Sequence, residues 1–158
     1  MTDRYRIPKT RLPVEIHRDG HRALEATLFL GEAAHGPESV LDLLGSDRRF
    51  IVVEDAGEVV FLNRESIARV TLADAHAFDA HGGLALSADL ATEAALVLEL
   101  EDGAKLTGLA VYELQAESSR VGDFLEAAGD FFPFFHDDRV SYVNKRKIAQ
   151  VHLQPSKE

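Results

Sequence analysis

Apolar and polar residues alternate with a period of two over several short stretches of the chain. Leu24, Ala26, Leu28 and Leu30 follow this pattern in the first quarter of the sequence. Successive side chains of a β-strand point to opposite faces of the sheet, so this alternation is typical of half-buried strands. Gly, Asn and Asp separate the stretches, as expected of tight turns. The pattern predicts a mainly β protein built from short strands.

One twelve-residue pattern occurs twice, at a constant offset of 81 residues. Phe61–Leu72 and Tyr142–Leu153 share an aromatic residue, an aliphatic residue, Asn and a basic residue, followed later by Ile, Ala, Val and Leu at the same positions. Phe50 and Phe131 match at the same offset. Because the offset is about the length of one small domain, the pattern predicts two similar units rather than a solenoid.

The repeat divides the chain into an N-terminal arm at 1–12, a first unit at 13–73, a linker at 74–93 and a second unit at 94–154. Each unit is predicted to hold about five strands, with a short helix after the second strand. The predicted strands cover 14–16, 22–30, 50–54, 59–62 and 67–72, then 94–100, 105–114, 131–135, 140–143 and 148–153, and the helices cover 39–44 and 120–128. Asp19-Gly20 and Asp102-Gly103 predict hairpin turns.

The segment Phe131–Phe135 is the most apolar part of the chain and contains Pro133. Core packing is the first interpretation, because aromatic side chains bury large areas. Proline lacks the N–H that a central strand donates, so Pro133 also predicts an edge strand or a bulge, and an exposed edge can pair with a partner.

Composition limits the classes of partner. The net charge of −10 argues against broad binding to nucleic acid or anionic membranes. The chain has no cysteine and no apolar run of about 20 residues, and it begins without a signal peptide, so we expect a cytoplasmic protein. Basic residues are concentrated in the first 22 positions and at 145–147. Solubility explains that asymmetry, with basic residues on exposed turns and a loose N-terminal arm. The alternative is charge complementarity between copies of the protein or with an acidic protein partner.

Two features resemble the Sm-like fold, the small five-stranded barrel of RNA-associated rings. An acidic-hydrophobic step follows the second strand, at Asp42-Leu43-Leu44 and Asp123-Phe124-Leu125, and a basic turn joins the last two strands of each unit. The resemblance implies two tandem Sm-like barrels, each with a helical insert. RNA-binding members carry Asn after the acidic-hydrophobic step, where this chain has Gly45 and Glu126. The resemblance therefore implies the barrel fold more than it implies RNA binding.

The basic turns are the candidate binding residues: Asn63, Arg64, Asn144, Lys145 and Arg146. Asn favours turns through its side chain and its tolerance of left-handed backbone angles, so a turn role is the first interpretation of both asparagines. The alternative is that the turns line a ligand pocket.

The remaining polar clusters give no catalytic pattern. His76, Asp79 and His81 are acceptable zinc ligands, but their spacing fits no standard motif, and a polar linker explains them as well. His136-Asp137-Asp138 fits a hairpin turn better than a catalytic pair. No nucleophile elbow, phosphate loop or cofactor motif is present. The sequence predicts a non-enzymatic interaction or assembly protein without cofactor or metal. The alternative is an RNA- or nucleotide-binding protein that uses the basic turns.

Overall fold

The computed structural model describes residues 10–33, 36–37, 39–80, 91–113, 121–127 and 129–154. The first half contains β1 (Thr10–Arg18), β2 (Leu24–Leu30), β3 (Glu32–Ala33), β4 (Gly36–Pro37), α1 (Val40–Gly45), β5 (Phe50–Asp55), β6 (Glu58–Asn63), β7 (Ile67–Leu72) and α2 (Ala77–Ala80). The second half contains β8 (Ala91–Leu100), β9 (Lys105–Glu113), α3 (Val121–Glu126), β10 (Phe131–His136), β11 (Arg139–Asn144) and β12 (Ile148–Leu153). The mainly β class is confirmed.

Ten of these strands form one antiparallel sheet in the order β12-β8-β9-β10-β11-β7-β1-β2-β5-β6, while β3 and β4 form a separate small hairpin. The sheet is open in the described part of the chain, so a division into two closed barrels is not shown. The sheet nevertheless consists of two five-strand segments: β1, β2, β5, β6 and β7 form the first, and β8 to β12 form the second. Within each segment the strands lie side by side in the order fifth, first, second, third, fourth, as β7-β1-β2-β5-β6 and β12-β8-β9-β10-β11.

The two segments meet where β11 pairs with β7, a contact we call the internal junction. Ser141, Tyr142 and Val143 on β11 lie opposite Thr71, Val70 and Arg69 on β7, respectively. This pairing joins the fourth strand of the second segment to the fifth strand of the first. The sheet is continuous as a result, and its two ends are β6 and β12.

The described residues form two hydrophobic cores against the sheet. The first is mostly aliphatic in the first half of the chain, where Phe78 is its buried aromatic residue, and Ile16, Leu28 and Ile51 are among its fully buried members. The second is aromatic and contains Phe124, Phe132 and Phe134. Three side chains of the second segment also belong to the first core: Phe131, Val140 and Tyr142. The first core is therefore completed by residues from across the internal junction.

Local sequence explains the helix and the turns. Ser39 and Asp42 form a capping box at the start of α1, since the Ser39 hydroxyl accepts from the Asp42 N–H and the Asp42 carboxylate accepts from the Ser39 N–H. Asp137 and Asp138 have φ angles of 48° and 58° between β10 and β11. Two positive φ angles in a two-residue hairpin loop match the twist of the flanking strands.

Two strands begin several residues earlier than predicted, while the division into arm, units and linker stays a prediction. Strand β1 begins at Thr10, inside the predicted arm, and β8 begins at Ala91, inside the predicted linker. Pro133 does not mark an edge, because β10 lies between β9 and β11. The missing N–H is tolerated there because β9 pairs only with Phe134 and Phe135 on β10. Phe132 and Phe134 are buried, so the core-packing interpretation of this segment is confirmed.

Candidate functional site at the internal junction and the sheet ends

Each predicted basic turn is a single 3-10 turn that follows a capping asparagine. The Asn63 side-chain oxygen accepts from the Glu65 N–H at 3.0 Å, and the Asn144 side-chain oxygen accepts from the Arg146 N–H at 3.0 Å. Both asparagines therefore act as turn residues. Asn144 has a second role, because its amide nitrogen donates to the Ile67 carbonyl oxygen across the internal junction at 3.0 Å.

The first basic residue of each turn binds backbone carbonyl groups near the end of a helix. Arg64 Nη1 donates to the Leu44 carbonyl oxygen at 3.0 Å. Lys145 Nζ donates to the carbonyl oxygens of Phe124 and Ala127 at 2.9 and 3.2 Å, and it lies 4.7 Å from the centre of the Phe124 ring. The last carbonyl groups of a helix lack intrahelical partners, which makes them good acceptors for cations. Burial lowers the pKa of Lys145. These two cations hold α1 and α3 against the sheet.

The structure brings the two basic turns together at one small depression beside the internal junction. Its lining residues are Arg64, Glu65, Asp130, Phe131, Asn144 and Arg146. Arg146 Nε lies 3.2 Å from an Asp130 carboxylate oxygen. The lining contains two cations and two carboxylates, so the charges balance and the depression is not a strongly positive phosphate site.

A polar cluster crosses the sheet where β10, β11 and β7 meet. Ser141 Oγ lies 2.6 Å from Thr71 Oγ1 and 2.7 Å from His136 Nε2. Burial and the positive charge of Arg69 lower the pKa of His136. A serine beside a neutral histidine resembles a nucleophile and its base. Ser141 is fully buried, however, so a substrate cannot reach its hydroxyl. The cluster serves the pairing of β11 with β7.

Exposed apolar side chains are concentrated at the two edges of the sheet, which we call its ends. In the described part of the chain, β6 pairs only with β5, and β12 pairs only with β8. Val59 and Phe61 project from β6, Phe50 projects from the neighbouring β5, and Leu153 projects from β12. The sequence contains these residues within its repeat, but nothing in their type distinguishes them from their buried counterparts in the other unit.

The residues considered as zinc ligands do not form a described site. His76 is exposed, and its Nδ1 lies 3.1 Å from an Asp74 carboxylate oxygen. His81 and the side chain of Asp79 lie outside the described residues. Over the residues that are described, no group of three potential metal ligands comes together. Nor does any helix there have the length and apolar character needed to cross a membrane.

Comparisons with family models, curated proteins and solved structures find no match to this chain. The resemblance to the Sm-like fold therefore stays a prediction.

Proposed function

We propose that this chain is a non-enzymatic assembly module that binds protein by adding an extended segment to the free ends of its sheet. The observation that carries the proposal is the exposed strand β6. A strand at a sheet end has unpaired N–H and C=O groups that can pair with another chain. Proteins usually protect such strands with proline, lysine, a bulge or a covering element. Residues 59–62 of β6 are Val-Val-Phe-Leu, without proline or lysine, and β6 pairs with β5 in unbroken register. Among the described residues, no other strand pairs with β6.

The apolar side chains on this strand add the specificity that backbone pairing lacks. In strand addition, hydrogen bonds along the main chain give affinity, and alternate side chains give selectivity. Val59 and Phe61 are alternate residues and both are exposed. The nearby Phe50 is also exposed. Together these three side chains form an apolar strip along the end of the sheet, which we call the β6 strip.

The proposal includes the tandem Sm-like interpretation, which the same strand order in both segments supports. Each five-strand segment would be one such unit, with its helical piece, α1 or α3, held by the basic turn as described above. The assembly role does not depend on this interpretation, because it follows from the free strand itself.

Photo-cross-linking in native cells tests the proposal. A photoreactive phenylalanine analogue replaces Phe61 in one variant and Leu109 in a matched control. Leu109 is also exposed, but it lies on the central strand β9. We expect a protein adduct at position 61 that is absent at position 109, with its partner identified by mass spectrometry. No protein adduct at position 61 would contradict the proposal.

RNA or nucleotide binding at the basic turns is the second candidate, because the internal junction brings Arg64 and Arg146 to the same depression. Neighbouring carboxylates and the whole-chain charge weaken this candidate. A filter-binding assay with single-stranded RNA at low salt tests it, since electrostatic affinity is greatest there. Binding that falls steeply with added salt and is lost in R64Q/R146Q would support it. An absence of binding at low salt would exclude it.

A further inference from the structure

We propose that the protein bound at the β6 strip is a second copy of this chain, which contributes its strand β12. This inference rests on the proposed function above and names its partner. The internal junction already pairs the fourth strand of one segment with the fifth strand of the other. The two free ends of the sheet are the remaining fourth strand, β6, and the remaining fifth strand, β12. A head-to-tail contact between copies would repeat the internal junction.

Burial of corresponding residues in the two segments supports this pairing. Phe61 corresponds to Tyr142, and their side chains are 65% and 1% exposed. Val59 corresponds to Val140, at 58% and 3% exposed. The β6 strip therefore consists of side-chain types that the internal junction buries in the other segment.

The other end of the sheet shows the same contrast. Leu153 on β12 corresponds to Leu72 on β7, and the two are 66% and 1% exposed. Ala149 is exposed where its counterpart Ala68 is buried. Both surfaces needed for a second junction are thus present and uncovered in the described structure. Because the two surfaces differ, the contact is heterologous and continues to a closed ring or an open filament.

The internal junction also gives the expected register between copies. Its pairs Tyr142–Val70 and Val143–Arg69 transfer to Phe61 opposite Val151 of the second copy and Leu62 opposite Gln150 of the second copy. Continuing this register two residues beyond Phe61 places Val59 opposite Leu153 of the second copy. The two side chains are therefore expected to bury each other.

The polar groups of the internal junction also have counterparts at the proposed contact between copies. Asn63 caps its turn as Asn144 does, and its backbone angles are φ −67° and ψ 118° against −83° and 116°. Its amide nitrogen is therefore placed to donate to the Ile148 carbonyl oxygen of the second copy, as Asn144 donates to Ile67. At the contact between copies, Glu65 takes the position of Arg146, and Arg146 of the second copy takes the position of Glu65. A carboxylate and a guanidinium group therefore lie together there, as they do in the depression beside the internal junction. Arg49 stands at the position of Asp130, which gives Glu65 a second cationic neighbour.

Sizing chromatography with light scattering, supported by native mass spectrometry, tests the inference. We expect the wild-type chain to form assemblies that are multiples of 17.4 kDa. F61K and L153K should each weaken association by about 30-fold or more, the effect of losing an interfacial hot spot. The control L109K should assemble as the wild type does, because Leu109 lies away from both ends of the sheet.

A mixing experiment distinguishes the head-to-tail contact from a symmetric one. F61K retains an intact β12, and L153K retains an intact β6. An equimolar mixture of the two should form a 1:1 dimer that grows no further, whereas the double variant F61K/L153K should remain a monomer. A wild-type monomer at high concentration would overturn the inference. So would dimers that F61K disrupts and L153K leaves intact, since these would pair β6 with β6. In either case, an adduct at position 61 with a different protein would still support the proposed function.

Discussion

The two five-strand segments share an order of strands, but they differ in how completely each encloses its own core. The described core of the second segment is built from its own residues, including Leu96, Phe124 and Phe134. The core of the first segment also requires Phe131, Val140 and Tyr142 from the second. The corresponding residues of the first segment, Phe50, Val59 and Phe61, are exposed. Equivalent residues are thus buried in one segment and exposed in the other. The difference follows from strand pairing, because β11 pairs with β7 whereas β6 pairs only with β5 in the described part of the chain.

Replacing the aromatic residue at corresponding positions of β11 and β6 tests this difference most strongly. Tyr142→Ala should lower the free energy of unfolding by about 3–5 kcal/mol, the usual cost of deleting a large buried aromatic side chain. Phe61→Ala should change it by about 0.5 kcal/mol or less when the chain is monomeric, because surface substitutions have small effects. Urea unfolding of dilute protein measures both values. Equal losses would show that the two positions do not differ as described.

Gly108 on β9 tests how closely the second segment packs its strands. A Cβ atom added there would lie 2.0 Å from the Phe135 backbone carbonyl oxygen, which cannot move aside as a side chain can. Gly108→Ala should therefore cost roughly 3 kcal/mol, near the upper end of the range for overpacking. Gly122→Ala is the control, since nothing lies within 4 Å of its added Cβ atom. We expect thermal unfolding to show a large loss for the first variant and none for the second.

Much of the secondary structure was predictable because strands and turns depend on local sequence. The alternation around Phe61 and the capping role of Asn63 are local properties, and β7 and β12 have the bounds that the repeat predicts. Pairing between distant strands has no such local signal. Val59 and Val140 are the same residue in the same pattern, yet one is exposed and the other is buried. Only the pairing of β11 with β7 separates them.

The residues of the basic turns were predictable from the sequence, but their contacts were not. The sequence indicates Arg64 and Lys145 as basic turn residues. It does not reveal that each side chain binds helix carbonyl groups, because those contacts span 20 and 21 residues. The usual rule for proline in sheets predicts an edge strand or a bulge at Pro133, but the limited pairing of β9 with β10 allows it a central position.

The two capping asparagines offer a finer test of the internal junction. Substitution by Asp retains the oxygen that caps each turn and removes the amide donor. Asn144→Asp should cost about 2 kcal/mol, because the Ile67 carbonyl oxygen loses its donor and the new carboxylate is buried. In dilute, monomeric protein, Asn63→Asp should cost about 0.5 kcal/mol or less, since Asn63 is exposed there. Chemical denaturation of both variants at neutral pH measures the difference, and equal costs would contradict a special role for Asn144.

The smallest expected effect is a pH dependence that originates in the polar cluster of the internal junction. Burial, with Arg69, Arg139 and His17 nearby, lowers the pKa of His136 in the fold, and the opposing effect of Asp137 does not reverse this. As the pH falls below about 6.5, the ordinary histidine value, the unfolded chain binds a proton before the folded chain does. The contribution of His136 to stability is therefore complete above that pH and decreases below it, until the pH passes the lowered pKa.

A glutamine at this position tests the contribution, because it can retain a hydrogen bond to Ser141 but does not titrate. The wild-type free energy of unfolding should be smaller at pH 5.0 than at pH 7.5, and His136→Gln should show a smaller loss between the two. Some loss should remain, since burial also lowers the pKa of His17. His17→Gln in the same background should reduce it further. Equal losses in the wild type and in His136→Gln would mean that the internal junction does not require a neutral His136. Its pairing would then depend on the contact between Thr71 and Ser141, the hydrogen bond from Asn144 to Ile67 and the apolar contacts of Tyr142.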